Sequence, residues 1–303
     1  MRKVFLFIIV ILFLDTHISM AQYRNKNKKI KIYQQEYLPV KGDVYFGKYE
    51  VSYYEYFVFL NHLRNSGNNE LYEKYKIDSL SIDSNYKSIH YYHQKDYTLN
   101  NFPVNNIGYE AATEFCKWKT NQHNNDNKRK FNKVIFRLPT EKEWELAARG
   151  GRSQISFPWG GPYLRGYDGR FLCNFNRIGQ EHITYDVSTK KYEVINDDET
   201  IEYGLNDRSL MTCEINQFKP NDFGLYNMSG NVAEMVNEKG LAKGGGFRDP
   251  GYDIRIVSKK TYSAPSDDIG FRVVMEVVEK IKQKDLIDKS MPSSPGIAQS
   301  NFQ

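Results

Sequence analysis

The sequence predicts a mixed domain in which a few helices and short strands are joined by long loops. Three features predict it: three segments with helical apolar spacing, two of them capped, one closing segment with β-branched alternation, and a region from 160 to 222 with few periodic stretches. The first helix is expected over 52–64 (SYYEYFVFLNHLR), with Ser52 as cap and Tyr53, Tyr56, Phe57 and Leu60 at helical spacing before Gly67. The second, over 109–120 (YEAATEFCKWKT), places Ala112, Phe115 and Cys116 on one face. The third, over 140–149 (TEKEWELAAR), has Thr140 as cap, Glu143 completing a capping box, and Gly150 and Gly151 as its stop. Leu138, Trp144, Leu146 and Ala147 form its core stripe, while Glu141 and Glu143 favour the helix dipole. IGFRVVMEV, 269–277, reads as one closing strand. Loops as long as those of 160–222 are uncommon in a compact domain unless function or an ion orders them.

Residues 1–21 read as an export signal: Arg2 and Lys3, an apolar run from Val4 to Leu14, then Ser19-Met20-Ala21. The run has 11 residues, against the roughly 20 of a membrane span. No cysteine stands at the cleavage region, so the expected product is an exported protein of the periplasm, envelope or exterior, neither a lipoprotein nor held by a transmembrane anchor. Loss of two positive residues and Asp15 with the signal takes the net charge from +5 to +4, too mild for a nucleic-acid partner. Residues 22–36 form a basic arm and 280–303 a disordered tail, leaving one domain over 37–279. Three cysteines, Cys116, Cys173 and Cys213, exclude a disulfide scaffold. Cys116 reads as a buried small hydrophobe; Cys173 and Cys213 either pair or stay as thiols. His90 and His93 in HYYH have no carboxylate partner and read as a surface feature.

Several segments occur in one order: EVS (50–52), PVNNIGYEAATEFCKW (103–118), FRLPTEKEWELAARGG (136–151), FPWG (157–160), FKPNDFGLYNMSGNVAEM (218–235), KGGGF (243–247) and IGFRVV (269–274). Together they resemble the formylglycine-generating enzymes, also called sulfatase-modifying factors. The resemblance implies an α+β fold related to the C-type lectins, low in regular structure, with long loops often ordered by calcium.

It also implies where chemistry should lie. Catalytic members hold copper(I) on two cysteines, soft thiolate ligands, just after a Gly-Gly-Ser turn. In KGGGFRDPGYDIR those positions fall on Asp249 and Ile254, the turn serine is Gly246, and a tryptophan of the substrate groove is Ala233. No copper and no formylglycine-generating activity are therefore expected. Non-haem iron relatives carry their ligands in an additional helical domain that this chain lacks. The resemblance carries over two calcium positions: Asn174 and Asp207 with the carbonyls of Phe175 and Ser209, and Asn227 and Glu234 with the carbonyls of Gly230 and Val232.

Three functions remain open. One is a non-catalytic structural or partner-binding component of the bacterial envelope, similar to gliding-motility and type IX secretion members of the family in Bacteroidetes. Another is an enzyme of altered chemistry using Arg248, Asp249, Tyr252 or Asp253, or a sulfatase maturation factor. The third is a lectin-like module holding a glycan or peptide in the groove.

Overall fold

The computed structural model describes residues 32–78, 99–129, 131, 133–177, 183–194 and 211–279. Strands β1 (Tyr37–Lys41), β2 (Val44–Gly47), β3 (Lys133–Arg137) and β10 (Val274–Glu279) make an antiparallel sheet in the order β1-β2-β10-β3. A second sheet, in the order β8-β7-β6-β9, is built from β6 (Ala233–Met235), β7 (Leu241–Lys243), β8 (Lys259–Thr261) and β9 (Ile269–Phe271), with β6 and β9 parallel. Within the loop region, β4 (Ile183–Asp186) and β5 (Lys191–Val194) form a hairpin. The helices are α1 (Tyr53–Asn65), α2 (Asn69–Tyr75), α3 (Tyr109–Asn125) and α4 (Glu141–Arg149). Buried rings of α1 and α3, among them Tyr56, Phe59 and Phe115, join Phe271 and Met275 in the main core. Among the described residues, no helix is long and apolar enough to cross a membrane.

Local sequence sets the helix starts. The Ser52 hydroxyl accepts from the Glu55 amide (3.2 Å), and Thr140 and Glu143 form the expected capping box, closed by Gly150 at φ 60°. Trp144, Ala147 and Leu138 are buried as expected, but Leu146 is only half-buried and Ala148 takes its place in the core. Helix α3 runs five residues past the expected end. Its last turn is tied to β3: Asn124 exchanges two hydrogen bonds with the Val134 backbone (2.9 and 3.0 Å), and Thr120 accepts from the Phe136 amide (2.8 Å). Near the end of the expected arm, Gln35 brackets the Tyr49 backbone with two hydrogen bonds (2.9 and 3.0 Å). The rest of the arm, the signal, the tail, His90 and His93 lie outside the described residues.

Glu143 also makes two hydrogen bonds to Arg137 (2.7 and 2.8 Å), and this guanidinium holds the carboxyl down from 4.5 to about 2. A depressed folded pKa stabilises the fold above the ordinary carboxylate range, and that contribution fades as the pH falls towards about 2. Glu143→Gln is expected to cost about 1 kcal/mol at neutral pH, since the pair is partly solvated, and nothing near pH 2. Melting temperatures of both proteins across that range measure the convergence.

The expected single closing strand is two. β9 belongs to the second sheet and β10 lies between β2 and β3 in the first, with Arg272 and Val273 at the crossing. Arg272 is fully buried. Its guanidinium bonds both oxygens of Glu234 on β6 (2.6 to 3.1 Å) and the carbonyls of Gly47 and Tyr226 (2.9 and 2.7 Å). That charge needs this carboxylate, so the chain leaves one sheet and enters the other there.

Candidate functional site

The three glycines of KGGGFRDPGYDIR follow β7 and sit at close approaches. A Cβ on Gly246 would lie 2.6 Å from the Asp268 carbonyl oxygen, so the turn excludes a serine at that position. Asp249 folds back over the turn. Its carboxylate accepts from the Gly246 amide (2.7 Å) and takes both oxygens to the Lys260 ammonium (2.8 and 2.7 Å). Lys260 also bonds Asp268 (2.5 Å), which accepts from Ser266 (2.6 Å). Burial alone would depress Lys260, but its bonds to the two aspartates raise it above the ordinary lysine range, so it stays charged. Asp249 is therefore half of an ion pair, and its oxygens are not set to take a substrate proton.

Ile254 is fully buried in a small cluster with Phe157, Cys173 and Phe175, beneath Trp159, Leu164 and Phe171. The Ser229 hydroxyl donates to its carbonyl (2.7 Å). Ala233 is buried in β6, its amide on the Asp268 carbonyl (2.8 Å), so no side chain from that position walls a groove. Arg248 is spent on Asp267 in a two-pronged pair (2.9 and 2.5 Å). Gly246, Asp249 and Ala233 thus converge on Asp268 and Lys260. Tyr252 and Asp253 instead stand exposed on the following turn, Tyr252 under the Arg255 guanidinium at 3.4 Å. Tyr163 and Tyr167 are also well exposed, on the loop whose Leu164 packs on Gly251. Cys116, Cys173 and Cys213 are all buried.

The residues assigned to calcium divide. The Oδ1 atoms of Asn174 and Asn227 are buried without a hydrogen-bond partner, while their amides donate to the Met211 carbonyl (2.5 Å) and to Glu50 (3.1 Å). Oxygen acceptors left bare in this way fit a hard cation. Glu234 does not share that state, because Arg272 and the Trp144 indole (2.7 Å) already hold both its oxygens. Gly230 lies against Asn174: a Cβ there would come within 2.1 Å of the Asn174 carbonyl oxygen. Val232 and Phe175 are buried beside these residues in sequence; Asp207 and Ser209 lie outside the described residues. Among the described residues no cluster of His, Cys, Asp and Glu suits a metal ion.

Sequence reasoning missed Glu50. It is fully buried, accepts from the Asn227 and Asn231 amides (3.1 and 2.8 Å), and burial pushes it up to about 8 against the pull of Arg272. The signal available was an acidic residue between Tyr49 and Val51.

The Sulfatase-modifying factor enzyme 1-like domain matches residues 35–277. The chain belongs to this family. A formylglycine-generating enzyme of Thermomonospora curvata is 34% identical over 134 residues, 44% of this chain and 32% of that protein. The inactive C-alpha-formylglycine-generating enzyme 2 of Bos taurus is 29% identical over 136 residues, 45% of this chain and 32% of its own. The matched part spans about a third of these relatives. Among solved structures, Treponema denticola variable protein 1 aligns with a TM-score of 0.47 and 16% identity, covering 82% of this chain and 93% of that one.

Proposed function

We propose that this member of the family is non-catalytic and acts as a structural or partner-binding component of the cell envelope, exported by its leader in the manner of the gliding and type IX secretion members. The observation that carries the reading is the fate of the two positions where the resemblance expects thiolates. Asp249 is locked to Lys260, and Ile254 is packed into an aromatic core. Inactive relatives in the family support such a role.

The partner surface we assign is the exposed turn around Tyr252 with Tyr163 and Tyr167. Exposed tyrosines backed by arginine are the residue types that dominate protein interfaces. Calcium is proposed as a structural ion at two positions, the first on the Asn174 side chain and the Phe175 carbonyl, the second on the Asn227 side chain with the carbonyls of Gly230 and Val232. Asp207 and Ser209 would complete the first position. When bound, it supplies charge and order to the loops.

Two measurements test the reading. Incubated with a Cys-x-Pro-x-Arg peptide, the protein is expected to leave the cysteine mass unchanged; an aldehyde product overturns the non-catalytic assignment. In cross-linking to an envelope fraction, Tyr252→Ala with Tyr167→Ala is expected to lose a partner that the unaltered chain captures. Equal capture by both removes the interface from this turn.

A further inference from the structure

We infer that the exposed tyrosine surface carries arginine forks for carboxylates, so that the partner it takes is an acidic protein segment. This rests on that surface being the partner site, as proposed above, and adds the chemistry of what binds there.

Two turns meet to form it. In RGYDGR, residues 165–170, the Gly166 amide donates to the Arg170 carbonyl (2.8 Å) and the Gly169 amide to the Gly166 carbonyl (3.0 Å), which leaves Tyr167 fully exposed at the tip. Beside it, the Asp253 amide closes the second turn on the Pro250 carbonyl (2.9 Å). Leu164 seats one turn on the other: a Cβ on Gly251 would lie 2.4 Å from its Cδ1.

The positive charge here is uncompensated. Among the described residues Arg137, Arg149, Arg152, Arg248 and Arg272 each pair with a carboxylate. Arg165, Arg170 and Arg255 make no such pair. Arg165 spends an N–H on the Gly169 carbonyl (3.1 Å) and Arg255 one on the Tyr252 carbonyl (2.8 Å), so most of each planar fork stays unused. Of the carboxylates on these turns, Asp168 accepts from the Arg170 amide (3.1 Å) and Asp253 is exposed. The guanidiniums outnumber them.

Two of these guanidiniums are also held in place. Arg165 lies over the Phe171 ring at 4.0 Å and Arg255 over the Tyr252 ring at 3.4 Å. Stacking fixes the plane of each fork before a partner arrives, so less side-chain freedom is lost on binding. The same stacking selects the ligand. A sugar ring would need open aromatic faces, and Phe171 is covered by Arg177 as well (4.4 Å). A carboxylate matches the fork, while the exposed phenols of Tyr163, Tyr167 and Tyr252 supply contact area around it.

Two labelled peptides test this by fluorescence anisotropy at low salt, one of alternating Glu and Gly and the other its Gln counterpart. With the unaltered chain, the Glu peptide is expected to bind saturably and to weaken as salt is raised, while the Gln peptide does not bind. Arg165→Gln with Arg255→Gln should weaken the Glu peptide about tenfold, and Arg165→Lys with Arg255→Lys, which keeps both charges, should recover only part of that loss. Arg64→Gln with Lys74→Gln removes as much charge from α1 and α2 and should leave binding unchanged. The acidic-segment assignment is overturned if the Glu peptide does not bind, if both peptides bind equally, if the two charge-removing pairs weaken binding equally, or if the Lys variants bind like the unaltered chain. Dextran sulfate binding through Arg165 and Arg255 in place of the Glu peptide overturns it too, and gives the surface to a polyanionic glycan. Each of these failures leaves the interface standing if Tyr252→Ala with Tyr167→Ala still loses its envelope partner; retention of that partner removes the interface itself.

Discussion

Arg272→Met is expected to destabilise the domain by about 3–5 kcal/mol, because it strands a buried carboxylate. Glu234 is 1% exposed and Arg272 0%, so neither charge has water to fall back on. The Gly47 and Tyr226 carbonyls would also lose their donor. Urea unfolding of Arg272→Met, Glu234→Met and the double variant gives the coupling. The double variant should cost far less than the two single changes together, since apolar replacement removes both charges at once. Additive costs would show that the pair is not the tie between the sheets.

Gly230→Ala is the second large effect, about 3 kcal/mol or more. Gly230 sits at φ 75°, where a side chain costs about 1–2 kcal/mol, and the new methyl would collide with the Asn174 carbonyl, adding the cost of overpacking. The clash also moves Asn174 relative to Asn227. Chelator-stripped protein should therefore gain melting temperature on calcium addition in the unaltered chain and gain none in Gly230→Ala. No gain in the unaltered chain would refute the calcium assignment.

Much of the fold was legible where neighbours in sequence decide it. The caps at Ser52 and Thr140, the stop at Gly150 and the buried Trp144 all follow from local chemistry. The overrun of α3 was not legible, because Asn124 looks like a helix terminator until β3 supplies its partner. Nor was the splitting of 269–279, which depends on a carboxylate 38 positions away. At the site, the residue types at 249 and 254 were readable and their surroundings were not. Lys260 turns Asp249 from a candidate base into half of a bridge, and nothing near Asp249 in sequence announces it. Ile254 was visible as apolar, but its aromatic neighbours come from 157 to 175.

The position of β10 has a consequence for how the polypeptide reaches this state. It is the last strand of the chain's domain and an inner strand of the first sheet, so β2 and β3 stay unjoined until it arrives. Its pairing with β2 closes a loop of over two hundred residues, among the slower events in folding. A chain emerging from the ribosome therefore holds its first sheet open until the residues of β10, Val274–Glu279, are free to insert.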